Sequence, residues 1–231
     1  MSYLCAMFLR LLFILLMALP VVKVYGQSEL DAENFSQKVS DTTVQLLDVR
    51  TSKEFNSGHL KHALQADWNQ QDQFRERVQS LDKQKPVYVY CLVGGRSSAA
   101  AQWLREQGFT VYNLQGGINA WKKANKPVEQ AEAIPQISYA DYQSRVPAKG
   151  LALVDVGAPW CPPCRKMAPV IDSIEQQYPK VKVIRLDGSG QDALMEQLQV
   201  HSFPTFILYK NGKEIWRKEG VMDMKEIAKQ W

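Results

Sequence analysis

The segment Trp160-Cys161-Pro162-Pro163-Cys164-Arg165 constrains this chain more than any other. The apolar run Leu151 to Val156 precedes it and reads as a strand, and Cys164 to Tyr178 reads as a helix. A strand that turns directly into a helix seats Cys161 at a helix N-terminus. Free amide donors and partial positive charge there lower a thiol's pKa. Two intervening residues bring Cys164 one turn further on, near enough to attack a mixed disulfide on Cys161. Pro162 and Pro163 stiffen the turn and carry no N–H, which leaves the Cys164 amide as a main donor to the Cys161 sulfur. A zinc site is a poor rival, because the chain has no second CxxC to complete it. An inert structural disulfide is the other alternative. Four cysteines in 231 residues exclude a disulfide scaffold.

Two features converge on this pair. Asp155 lies in the apolar strand, six residues before Cys161. A buried carboxylate has a raised pKa, so Asp155 is placed to take the proton of Cys164 during resolution. Ser202-Phe203-Pro204-Thr205 puts a proline just before a strand, where a cis bond in a tight turn fits. Further on, Thr205 to Tyr209, Asn211-Gly212 and Glu214 to Arg217 read as a hairpin with a type I′ turn, and Met222 to Trp231 as a closing helix.

The earlier half alternates in the same way. Val44–Val49, Pro86–Cys91 and Thr110–Leu114 read as strands, and Gln70–Asp82, Arg96–Gln107 and Ile118–Ala124 as helices. This order predicts a parallel sheet with helices on both faces. Cys91 ends one strand and is followed by Leu92-Val93-Gly94-Gly95-Arg96-Ser97. A glycine-bearing loop leading into a helix makes a nest of amide donors that suits a thiolate, a persulfide or an oxyanion. Gly94 and Gly95 let the loop curl around the sulfur.

From about Ile137 to Trp231 the chain resembles the thioredoxin family, through Val154-Asp155, Ala158 to Arg165, Pro169, Phe203-Pro204-Thr205 and Lys210-Asn211-Gly212. The resemblance implies Cys161 as attacking thiol, Cys164 as resolving thiol, Asp155 as proton relay and Pro204 as the cis residue beside a redox-active disulfide. Trp160 and Phe203 then form the docking surface for substrate. Val183 stands where many thioredoxins carry a lysine near the aspartate. From about Leu30 to Lys126 the chain resembles a single rhodanese domain, through Leu47-Asp48-Val49-Arg50, Glu54 to Leu60, Cys91 to Ser97 and Gly116 to Trp121. Arg96 comes five residues after Cys91, whereas related cysteine phosphatases place it one residue later; the shorter loop favours sulfur transfer. The implied role of Cys91 is to carry a persulfide, with Leu92, Val93, Gly94, Gly95 and Arg96 lining the sulfur-binding loop. Leu92 and Val93 are apolar where thiosulfate-preferring loops carry basic residues, so another donor is expected. Asp48, Arg50, Glu54 and His59 read as structural.

The expected fold class is therefore α/β in two domains: a rhodanese-like parallel sheet flanked by helices, at 30–126, followed by a thioredoxin fold with a mixed sheet, at 137–231. The polar, Pro-bounded 127–136 is the linker. Arg10 is the one basic side chain before the apolar Leu11–Leu19, and Val24-Tyr25-Gly26 follows. An apolar core of roughly 7–15 residues suits a secretory signal, and a span needs ~20. Residues 1–26 are expected to be a signal peptide cleaved near Gly26, placing the protein in the periplasm or otherwise outside; the alternative is an uncleaved anchor. Both charge signs are spread along a chain of net charge +4, with no basic stripe for nucleic acid. The expected partners are protein disulfides or thiols, a small sulfur donor or acceptor, and an upstream reductase or oxidase. No cofactor, metal, nucleic acid or stable membrane span is expected.

Overall fold

The computed structural model describes residues 28–41, 43–129 and 135–231. The expected signal segment and residues 130–134 of the expected linker lie outside them. The first domain runs β1 (Glu29–Leu30), α1 (Ala32–Val39), β2 (Gln45–Asp48), α2 (Ser52–Asn56), β3 (Leu64–Gln65), α3 (Gln71–Val78), β4 (Val87–Tyr90), α4 (Gly95–Glu106), β5 (Val111–Leu114) and α5 (Gly117–Lys123). Its five strands are all parallel, in the order β1-β5-β4-β2-β3. The period-2 pleat divides the core. Leu47, Val87, Val89 and Cys91 pack with Phe74, Ala100, Ala101 and Leu104 on one face. Leu46, Tyr88 and Tyr90 pack with Phe35, Phe55, Ile118 and Trp121 on the other.

The second domain runs α6 (Tyr139–Arg145), β6 (Leu151–Gly157), α7 (Pro162–Gln177), β7 (Val181–Asp187), α8 (Asp192–Gln197), β8 (Thr205–Lys210), β9 (Lys213–Glu219) and α9 (Met224–Ala228). Its sheet is mixed, in the order β7-β6-β8-β9: β6 pairs parallel with β7 and antiparallel with β8. Leu153, Phe206 and Leu208 pack under Met167, Ile171 and Ile174 of α7. Asp155, two residues on from Leu153, points to that same face of the sheet.

Three helices differ from the sequence reading by two residues or more at one end or both. Helix α7 begins at Pro162, two residues early, because Cys161 is its N-cap and Pro is at home in a first turn. Helix α3 stops at Val78; beyond it the chain turns, and the Asp82 amide is taken by the Gln45 side chain at 2.7 Å. Helix α9 is confined to Met224–Ala228, capped by Asp223. Among the described residues, no helix is long and apolar enough to cross a membrane.

The domains meet at the free edge of β3. The Gln65 amide donates to the Trp160 carbonyl at 2.9 Å, and α3 lies against α7. The linker is anchored at both ends: Glu129 exchanges two backbone hydrogen bonds with His59, at 2.8 Å each, and the Gln191 side chain bonds to Pro135 and Ile137.

Candidate functional sites

Cys161 has an extended backbone at the N-cap of α7, and the Cys164 amide reaches its sulfur at 3.3 Å. The two cysteines are disulfide-bonded, with Cα atoms 5.3 Å apart. The Cys161 Sγ lies 3.6 Å from the Phe203 carbonyl, and the Phe203–Pro204 peptide is cis. The chain therefore brings the loop before β8 onto the sulfur that starts α7. Trp160 covers the pair from the side of the first domain. Its ring is tilted against Phe55 and Phe203, with centroids 5.9 and 6.0 Å away, and the Arg77 guanidinium lies 5.0 Å from its centroid. Cys161 has 0% of its surface exposed.

Asp155 and Cys164 line one cavity of about 280 Å³, together with Arg165 and Arg185. Burial pushes the Asp155 carboxyl up to about 6, against the opposing pull of Arg185. Arg185 is the cation that the sequence reading lacked when it noted Val183. The parallel register sets Asp155 directly beside Arg185, two residues past Val183. Arg185 is itself shared with Asp172 and Glu175 at 2.6 and 2.8 Å, so its pull on Asp155 is only partial.

Cys91 is 1% exposed and is a free thiol. The Gly94 amide reaches its sulfur at 3.1 Å, and the Ser97 hydroxyl at 3.3 Å. Burial pushes the Cys91 thiol up, but the hydrogen bonds from Ser97, Gly94 and Val93 outweigh it and hold the pKa below the ordinary value. Ser97 was absent from the sequence-predicted set, and its place one turn into the helix after a Gly-rich loop was the available signal. Arg96, which the set included, is bonded bidentately to Glu54 at 2.6 and 2.8 Å. That bond holds the Glu54 carboxyl down to about 2. Leu92 and Val93 are 39% and 63% exposed and form the outer wall of the loop.

The loop's backbone geometry divides the two predicted glycines. Gly94 has φ +104°, which favours glycine; Gly95 is helical, and a Cβ there would meet nothing within 4 Å. The close approach falls instead on Gly117, with φ +60°, where a Cβ would lie 2.4 Å from the Cys91 carbonyl oxygen. The amides of Ile118 and Asn119 donate to the carbonyls of Cys91 and Leu92 at 2.8 and 3.1 Å. Helix α5 thus grips the loop's backbone and leaves the sulfur to Gly94 and Ser97. Among the described residues, no cluster of three or more His, Cys, Asp or Glu could hold a metal ion.

Residues 31–124 match the model of the rhodanese-like domain, and residues 133–231 match that of thioredoxin. A thioredoxin of Chlamydia muridarum is 40% identical over 82 residues, covering 36% of this chain and 80% of its own length. A thioredoxin of Synechocystis is 42% identical, covering 42% of this chain and 92% of its own. A sulfurtransferase of Allochromatium vinosum is 36% identical over 107 residues, covering 46% of this chain and 97% of its own.

Proposed function

From a chain that belongs to the thioredoxin family in its C-terminal half, and that carries a rhodanese-like domain before it, we infer an exported thiol–disulfide oxidoreductase coupled to a persulfide-carrying cysteine. Redox and sulfurtransfer chemistry follow from the two families; the roles of single residues are our reading. The Cys161 thiolate attacks a substrate disulfide, releasing one thiol and forming a mixed disulfide. The Cys164 thiolate then attacks the Cys161 sulfur, releasing the second thiol and closing the Cys161–Cys164 bond. Asp155 takes the Cys164 proton in that second step. The observation that carries this reading is the Cys161 sulfur at the N-cap of α7 with the Cys164 amide upon it. A helix N-terminus and a charge-assisted donor both favour the thiolate.

The Cys91 thiolate attacks the terminal sulfane sulfur of a donor of the type R–S–SH; the donor's S–S bond breaks, R–S⁻ leaves, and Cys91–S–SH forms. The dithiol of the second domain can remove it: Cys161 attacks the inner sulfur, hydrosulfide leaves, and Cys164 resolves the mixed disulfide, so that one dithiol is oxidised for each sulfide released. A tether between two such sites gives an effective concentration in the mM range. The docked arrangement supports this coupling, since Trp160 sits on the edge strand of the sheet that bears Cys91. The strands β3, β2 and β4 place Cys91 about two strand spacings, or ~10 Å, in from that edge.

In the test, Cys164→Ser accumulates mixed disulfides with substrate and Cys161→Ser forms none; Cys161→Ser loads sulfur on Cys91 but releases sulfide far more slowly than the parent, whereas Cys164→Ser releases one equivalent and stops with Cys91 and Cys161 joined. Sulfide release that survives Cys161→Ser unchanged sinks the coupling. Disulfide reduction that survives it sinks the assignment of the attacking thiol. Export rests on the N-terminal sequence; a secreted protein whose first residue lies near Gln27 supports it, and one that retains Met1 in the cytoplasm overturns it.

A further inference from the structure

Between the two domains lies a cavity of about 210 Å³, walled by Ser52, Asn56, Gln73 and Arg77 on one side and by Trp160 and Phe203 on the other. Arg77 is only 5% exposed. Its Nη1 donates to the backbone and side-chain oxygens of Gln65. Among the described residues no carboxylate forms an ion pair with it; Glu76 and Asp67 act on it from a distance, and burial holds its pKa down to about 10. The contrast with Arg50 is direct, because that equally buried arginine is bonded to Asp48 at 2.6 Å. A buried cation without a counter-ion is costly, and stacking on the Trp160 ring recovers only part of the cost. The other N–H groups of Arg77 have no acceptor among the described residues. The buried Trp160 Nε1 has none either. Exposed Asp192 is the sole carboxylate of the lining. The cavity therefore offers unused donors and one uncompensated buried positive charge, the complement of an anion.

Its position says what that anion is attached to. Trp160 precedes Cys161, and the Phe203 carbonyl touches the Cys161 sulfur. With the first domain packed against Trp160, the cavity of about 210 Å³ has room for a small molecule and none for a folded protein. We propose that this cavity binds the carboxylate or sulfonate head of a small sulfur compound through Arg77 and holds its sulfur beside the Cys161–Cys164 pair. The proposal rests on the oxidoreductase reading above and names its substrate class. For a small disulfide the balance is that given there: two electrons pass from the dithiol, two thiols are released, and the Cys161–Cys164 bond forms.

The test uses the reduced full-length chain carrying Cys91→Ser, so that only the dithiol reacts. Its rate is measured with a bis-carboxylated disulfide, 5,5′-dithiobis(2-nitrobenzoate), and with the neutral 2,2′-dipyridyl disulfide. Adding Arg77→Met lowers the ratio of charged to neutral rate by about tenfold, the loss of one charge-assisted bond, and Arg77→Lys restores most of it. Benzoate or benzenesulfonate, both unreactive, competes with the charged probe in the parent and not in Arg77→Met; which of the two competes better assigns the head group. A ratio unchanged by Arg77→Met, or competition by neither anion, overturns the proposal. So does an equal acceleration of both probes, which marks Arg77 as a clamp between domains only. If Arg77→Met fails to fold, the ratio in Arg77→Lys and the competition in the parent decide. A parent that reduces neither disulfide defeats the oxidoreductase reading itself, a distinct outcome.

Discussion

Both reactive sulfurs stand where a strand gives way to a helix, Cys91 between β4 and α4 and Cys161 between β6 and α7. Around Cys91 the donors are the Gly94 amide and the Ser97 hydroxyl, and among the described residues the sulfur is bonded to no second cysteine. Around Cys161 the donor is the amide of Cys164, whose own sulfur closes the bond. Helix termini supply the stabilisation of negative charge in both places. What differs is the residue one turn in. A hydroxyl can hold a sulfur anion but cannot displace anything from it, and a thiol can. On the proposed reading, the same local architecture stores sulfur in one domain and exchanges it in the other. Changes aimed at one site should leave the stability and thiol pKa of the other untouched, even where the two share a turnover.

The largest separation should come from Gly117→Ala. The new methyl would lie 2.4 Å from the backbone oxygen of Cys91, and φ is +60°, so backbone must move. We expect the first domain to lose about 2–4 kcal/mol of stability, as strain at a special φ and displacement of a packed segment add up. Sulfur loading on Cys91 should fall with it, while disulfide exchange by the second domain persists. Gly95→Ala, with open space at its Cβ, should be close to neutral. Differential scanning calorimetry with a sulfur-uptake assay would decide; equal tolerance of both alanines would mean that α5 does not hold the loop.

This division of labour was only half legible in the sequence. The strand–helix alternation, both cysteines and the proline before β8 could be read because each depends on neighbours within a few residues. The capping box at Thr51 and Glu54 that starts α2 was equally local and was passed over. Strands β1 and β3 have two residues each and exist through pairing with distant strands, so no window of sequence reveals them. The seat of Trp160 on Gln65 and Arg77, the grip of Gly117 on Cys91 and the register of Asp155 beside Arg185 are tertiary facts. They arise only once the elements are assembled. The cysteines were therefore legible and their settings were not.

A smaller effect, confined to the second site, should follow Asp155→Asn. The folded carboxyl titrates at about 6 against an ordinary 3.8, mainly because burial penalises its charge. The native state thus holds the proton more tightly than the unfolded chain does. This contribution to stability is fully present below the unfolded value and is lost as pH rises from about 3.8 to about 6. The asparagine variant should escape that loss, gaining about 1–2 kcal/mol over the parent at pH 7 after discounting for partial exposure, and close to nothing below pH 4. Resolution of mixed disulfides at pH 7 should slow by at least about tenfold, the scale of a lost general base. Urea unfolding of the oxidised protein across this range is the check. A gain that is the same at both pH values would show that Asp155 does not titrate as described.

The finest distinction lies in Ser97. Its hydroxyl is one of the donors that offset the burial of the Cys91 thiol, so Ser97→Ala should raise the thiol pKa. The profile of Cys91 alkylation rate against pH should move to higher pH, with a loss of rate at neutral pH and stability little changed. Cys161, held by a backbone amide that no side-chain substitution removes, should keep its own profile. If the Cys91 profile stays where it is, the Gly94 and Val93 amides suffice to hold the thiolate. The hydroxyl would then be needed only for its bond to the Gly94 carbonyl, 3.1 Å away, and the contrast between a serine and a cysteine one turn into the helix would lose its force.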